Sequence, residues 1–194
     1  MEAAPNEQFL SPPPGRVLAS GILPGQCSLM QIRRAEQGEA AALSQIAWRA
    51  KAHWGYPASW LEGWRELLTI TPEFVSANET FVAVVEGEIV AFHALLEREG
   101  KFCLEHLWVL PEQMRRGIGR KLFTHAVERA LARGARSLTI EADPNAETFY
   151  RHLGAVKVGT VASEVEGRRR ELPLLIFDLT IRSSEGEKRY PASN

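Results

Sequence analysis

The chain has 194 residues, enough for one domain whose core needs no staples. Hydrophobic residues make up 45% and charged residues 24%, and the formal net charge of −1 leaves no global pull toward nucleic acid or membranes. No uninterrupted apolar run approaches the ~20 residues of a membrane span.

Residues 1–27 open acidic and carry three consecutive prolines, without the n-region and h-region of a signal peptide. They are expected to form a disordered extension. Cys27 and Cys103 lie far apart in sequence and read as free thiols in a reducing cytosol.

The ordered domain is expected over 28–181, starting with a strand at "SLMQIRRA". A helix follows over "EQGEAAALSQIAWRAKAHW", with Ala42, Ile46 and Arg49/Ala50 at apolar spacing. "GYP" breaks it, and "ASWLEGWRELLTI" predicts a second short helix with Trp60, Leu61, Trp64, Leu67 and Leu68 on one face. Then the period changes to two. "TFVAVVEGEIVAFHALLER" predicts a hairpin turning at Glu86-Gly87, and "KFCLEHLWVL" a further strand ended by Pro111.

A helix from Gly117 or Ile118 to Arg133 carries one ridge at Ile118, Leu122, Ala126 and Ala130, and a second at Phe123, Val127 and Leu131. The strand "RSLTIEA", the short helix "NAETFYRHLG" and two strands around a basic loop "EGRRR" complete the domain, before a polar tail over 182–194. The order predicts an α+β fold with a mixed, mostly antiparallel sheet of six or seven strands, a central βαβ crossover and about four helices.

The chemistry concentrates in "PEQMRRGIGRKLF". A loop that leaves a strand and feeds a helix N-terminus presents unpaired N–H groups and the positive end of a dipole, a site for phosphate. Gly117 and Gly119 let backbone approach such a ligand, while Arg115, Arg116, Arg120 and Lys121 add long-range attraction. A dinucleotide fingerprint lacks its third glycine here, and the spacing of a Walker A loop is absent. Nucleic-acid binding through the same arginines would need a wider basic face.

The segment resembles the acyl-CoA pyrophosphate loop of the GCN5-related N-acetyltransferase (GNAT) superfamily, Arg/Gln-x-x-Gly-x-Gly/Ala, with its glycines on Gly117 and Gly119. Met114 departs from the first position, with Gln113 one residue early. "DPNAETFYRHLGA" is similar to the family's last helix, and "LEHLWVLP" to the strand entering the loop, so the resemblance runs from about Leu29 to Leu179. It implies a GNAT fold and an enzyme moving acetyl from acetyl-CoA to a primary amine by direct attack in a ternary complex, without a metal. The other reading is a catalytically silent acyl-CoA-binding or sensor domain.

On this resemblance Tyr150 is the candidate acid for the departing thiolate. Leu107, Trp108, Val109, Arg115, Arg116, Gly117, Ile118, Gly119, Arg120, Asn145, Phe149 and Tyr150 are the candidate cofactor contacts, with the Val109 N–H as oxyanion donor. Glu105, which interrupts an apolar strand, is the candidate base, and His106 the alternative with an ordinary pKa near neutrality. Strand alternation predicts that the two point to opposite faces, so that only one serves.

Acceptor specificity is implied in the first two helices, their turn and the last hairpin. There Trp54 and Tyr56 are the candidate substrate contacts at a helix break, and an aromatic rim could hold a cation. Trp60 and Trp64 read as core, and Arg168 to Arg170 as a solvated hairpin tip or an anion contact. A cytoplasmic protein without nucleic-acid or membrane partners is expected, with homodimerisation left open.

Overall fold

The structure, a computed structural model, describes residues 30–180; the extension over 1–27 and the tail over 182–194 lie outside the described residues. Strand β1 (Gln31–Arg34) leads through a 3-10 turn into helix α1 (Ala40–Ala52). Three short helices follow: α2 (Ala58–Gly63), α3 (Arg65–Leu68) and α4 (Pro72–Ala77). The meander β2 (Glu79–Val85), β3 (Glu88–Arg98) and β4 (Lys101–Val109) precedes α5 (Ile118–Ala132). Then come β5 (Ser137–Glu141), α6 (Glu147–His152), β6 (Val156–Val165) and β7 (Arg168–Asp178).

The seven strands form one sheet in the order β1-β2-β3-β4-β5-β7-β6. Every pairing is antiparallel except β4 with β5, which α5 connects as the expected crossover. Three hairpins share one turn chemistry: Glu86-Gly87, Glu99-Gly100 and Glu166-Gly167 all have positive φ at both residues. Two positive φ values give the turn whose twist matches that of its strands, and glycine relieves half of the cost.

Side chains alternate between two cores. On one face α5 packs Phe123, Ala126, Val127 and Ala130 against Leu104, Leu138, Ile140 and Leu175. On the other, α1 to α4 pack Leu43, Ile46, Ala47, Leu61, Trp64 and Val75 against Val82 and Phe92.

The local details differ from the sequence expectation in four places. The buried stripe of α1 runs through Leu43, Ile46, Ala47, Ala50 and Lys51, while Ala42 and Arg49 are exposed. The expected second helix breaks at Trp64, which folds into the core, and Leu67 remains 70% exposed. Helix α4, not expected, has Thr71 accepting from the Phe74 amide as N-cap and Pro72 at its first position. The "basic loop" is only the Glu166-Gly167 turn; Arg168, Arg169 and Arg170 belong to β7.

Candidate active site

The site lies where β4 and β5 part. Their ladder holds only Phe102 opposite Leu138 and Cys103 opposite Thr139, although β4 continues to Val109 and β5 to Glu141. A second irregularity sits on the β3 side of β4. Leu95 pairs with Leu104 and Ala94 with His106, leaving Glu105 as an extra residue in a bulge.

That extra residue corrects the alternation argument. Glu105 and His106 do not divide between faces, because the bulge restarts the period between them. Both line one cavity of about 240 Å³, together with Cys103 and Trp108. We call it the hairpin-side cavity, since Ser163, Arg170 and Leu172 of the β6–β7 hairpin also line it. The hairpin tip is docked on α2: Ser59 donates to Glu166 at 3.1 Å, and Val165 packs at Gly63.

A loop-side cavity of about 350 Å³ lies toward α5. Of the expected cofactor contacts, Leu107, Trp108, Val109, Arg115, Gly117, Gly119, Arg120, Asn145, Phe149 and Tyr150 line it. Arg116 and Ile118 do not: Arg116 donates to Gln113 Oε1 at 2.8 Å, and Ile118 is buried in the core. Met114, the position that departs from the family pattern, does line it, as do Ala50, Trp54, Asp143 and Ala146. The side chain of Gln113 is spent on Arg116 instead.

Backbone geometry explains the glycines. Gly117 caps α5 in the left-handed conformation (φ 81°), and no side chain caps the helix. The first intrahelical acceptor is the Gly117 carbonyl, taken by Lys121 N at 3.1 Å, so the amides before it have no helical partner. Gly119 makes room for a neighbour: a Cβ there would lie 3.3 Å from the Phe149 ring of α6.

Tyr150 is 6% exposed, and burial, aided by the Asp143 carboxylate, pushes its phenol above the ordinary range, so it stays protonated. His106 is displaced the other way. Burial among Phe74, Phe92 and Trp108 lowers its pKa to about 4, and Trp108 Nε1 donates to its Nδ1 at 3.2 Å. The expectation of an ordinary histidine pKa is therefore corrected: this ring is neutral and weakly basic near pH 7. Glu105 faces the same cavity with Arg98 3.3 Å away.

Between the cavities runs a network that sequence reasoning missed. Lys51 of α1 lines the hairpin-side cavity and Asp143, after β5, the loop-side one; they pair at 2.5 Å. Two buried charges repay their desolvation only when fully hydrogen-bonded. Here the Asp143 carboxylate also accepts from the Tyr56 hydroxyl (2.9 and 3.0 Å), the Asn145 amide (2.9 Å) and Asn145 Nδ2 (3.0 Å). Burial alone would raise the Asp143 carboxyl, but Lys51 and these donors outweigh it and hold it below the usual range.

Tyr56, expected at the substrate, lines neither cavity; its hydroxyl serves Asp143 and its ring lies under Lys51. Trp54, 39% exposed, stands at the loop-side mouth. Tyr56, Trp60 and Trp64 do bind cations with their faces, but those of the protein itself. Lys51 lies over Tyr56 and Trp64, and Arg170 over all three. Arg170 is therefore not part of a solvated tip. The signal for Lys51 was available, since a lysine falls in the apolar stripe of α1; its partner, 92 residues away, was not. Among the described residues no cluster of His, Cys, Asp or Glu could hold a metal, and no helix is long and apolar enough to cross a membrane.

Residues 40–155 match the acetyltransferase (GNAT) family. The chain belongs to that family. It is 29% identical over 99 residues to the peptidyl-lysine N-acetyltransferase YiaC of Escherichia coli, a match spanning 50% of this chain and 65%, under two thirds, of that relative. Solved structures share the GNAT fold. A GCN5-related N-acetyltransferase from Rhodopseudomonas palustris superposes with a TM-score of 0.68 at 22% identity, over 76% of this chain and 94% of that one. The PaiA N-acetyltransferase from Thermoplasma acidophilum, solved in complex with coenzyme A, gives 0.62 at 17% identity, over 77% and 99%. The GNAT α+β fold, with its seven-stranded mixed sheet, thus agrees with the sequence expectation.

Proposed function

We propose that this GNAT chain is an acetyl-CoA-dependent N-acetyltransferase in which a primary amine attacks the thioester directly in a ternary complex. The observation that carries the reading is the arrangement of two cavities around the β4–β5 opening. The loop-side cavity begins at the free amides of α5 and includes Tyr150; Trp108 lines it and also the hairpin-side cavity, where Glu105 and His106 lie. A pyrophosphate at α5 and an acceptor under the hairpin can thus approach each other from opposite sides of the sheet.

In this reading Glu105, directly or through a water, takes a proton from the ammonium. The neutral amine then forms a C–N bond with the thioester carbonyl carbon, and the Val109 N–H receives the oxyanion. As the C–S bond breaks, the Tyr150 hydroxyl supplies the proton to sulfur, and the proton that the attacking nitrogen sheds as it becomes an amide restores the tyrosine. His106, with its lowered pKa and its Nδ1 occupied by Trp108, is the weaker base. The acceptor in the name of the E. coli relative is a lysine side chain on a peptide.

Calorimetry with coenzyme A, followed by mass spectrometry of an amine panel with acetyl-CoA, tests the reading. Binding with acetyl transfer is expected. Binding without transfer to any amine would leave a silent acyl-CoA-binding domain, and no binding would defeat both. Tyr150→Phe should lower kcat by roughly 10²–10⁴-fold, the usual scale for a lost general acid, with little change in coenzyme A affinity. Undiminished turnover removes Tyr150 from that role.

A further inference from the structure

We propose that the acceptor is a small amine carrying a carboxylate, an amino-acid-type molecule, and that Arg170 binds that carboxylate. This rests on the acetyltransferase reading and names its substrate class.

Arg170 stands apart from its neighbours in β7. Arg168 and Arg169 are exposed, whereas Arg170 is half-buried and lines the hairpin-side cavity. Its guanidinium is held 4.6 Å from the centre of the Trp64 ring, 5.3 Å from Tyr56 and 5.8 Å from Trp60. Cation–π contacts of this kind hold the group in place but neutralise nothing. Among the described residues no carboxylate forms an ion pair with Arg170, and the hydrogen bond it makes is a long one, 3.4 Å to the Tyr56 hydroxyl. The nearby carboxylate, Asp143, is already taken by Lys51, which shares the Tyr56 and Trp64 rings with Arg170. That leaves the Arg170 guanidinium without a paired carboxylate in a partly dry cavity.

A cation there is costly until an anion joins it. A planar guanidinium with spare donors matches a carboxylate through two parallel hydrogen bonds, a geometry an ammonium cannot copy. The other charged groups lining the cavity complete the pattern. Arg98 lines it too and is paired with Glu105 at 3.3 Å, so the carboxylate open to an ammonium is that of Glu141, which among the described residues has no ion pair. Leu68, Leu104 and Leu172 supply apolar wall. At about 240 Å³ the space lies below the ~300–1,000 Å³ of pockets for drug-sized ligands, which suits a small zwitterion. A polyamine or plain alkylamine would leave Arg170 unpaired and add positive charge beside it.

The test uses matched pairs differing only in the carboxylate, leucine against isopentylamine and phenylalanine against phenethylamine, plus a lysine-containing peptide with blocked termini. Both kcat/KM with acetyl-CoA and calorimetric binding to the coenzyme A-loaded full chain are measured. The wild-type protein should favour the carboxylated member by roughly 10–100-fold, as a charge-assisted hydrogen-bonded pair implies. Arg170→Gln should abolish that preference through KM, and Arg170→Lys should restore only part of it. Equal or better use of the decarboxylated amines or of the peptide overturns the proposal, as does an equal loss of both pair members in Arg170→Gln. If acetyl transfer fails altogether, binding still decides. Preferential binding of the carboxylated probes, lost in Arg170→Gln, supports the anion site, and its absence sinks it independently of the transfer reading.

Discussion

The two cavities of this protein are built by opposite means. The loop-side cavity owes its character to backbone: a left-handed glycine cap, the uncapped amides of α5 and a glycine that lets Phe149 close in. The hairpin-side cavity owes its character to charged side chains from elements far apart in sequence, Lys51 from α1, Glu105 from β4, Glu141 from β5 and Arg170 from β7. A site made of main chain depends on conformation, and charge changes around it matter less. A site made of buried charges depends on each partner being present.

The largest test of that contrast removes one partner of the bridging ion pair. Asp143→Ala leaves the Lys51 ammonium buried without its carboxylate, and unfolding free energy should fall by about 3–5 kcal/mol. For a domain of this size that lowers Tm by roughly 10 °C. A thermal scan showing only a one- or two-degree change would mean that the pair is wet and not needed.

Next comes acid. His106 has a folded pKa of about 4 and His93, fully buried against His125, about 3, both through burial first. Folded values below the ordinary ~6.5 mean that the unfolded chain binds protons the native state refuses. Stability should therefore be level above about pH 6.5 and fall as pH drops toward 4, by roughly 2–3 kcal/mol per histidine at pH 4.5. Urea melts across this range check the slope, and His106→Phe should remove about one proton of it. A flat profile between pH 6.5 and 4.5 would contradict buried neutral rings.

The smallest effect probes the backbone site. Gly117→Val forces a β-branched residue to φ 81°, a strain of ~1–3 kcal/mol, so coenzyme A affinity should drop about 10- to 100-fold. Arg115→Gln, which keeps the amides and loses a charge, should cost less. The reverse order, read by calorimetry, would show that the arginines and not the main chain hold the anion.

The same contrast explains what was legible in sequence. Gly117, Gly119 and the ridges of α5 lie within one short stretch, so local pattern was sufficient to read them. The Glu86-Gly87 hairpin was equally local. Helix α4 was readable from Thr71-Pro72 but lay next to a stronger apolar pattern. The Lys51–Asp143 pair and the seat of Arg170 were not readable, because they depend on α1, the segment after β5 and the last hairpin meeting over the β4–β5 opening. The bulge at Glu105 was not readable either, because a glutamate that interrupts an apolar strand marks a polar position and not an extra residue.

That bulge has a consequence for how the chain tolerates change. β4 is written in two reading frames, one set by the Glu99-Gly100 turn and the other beginning at His106. Glu105 is the spacer between them. Exchanging its side chain alters one group, but deleting it would slide the frame and trade His106 and Trp108 for Leu107 and Val109 across the sheet. Substitution at this position is a local edit, and loss of the residue rewrites both walls of the site at once.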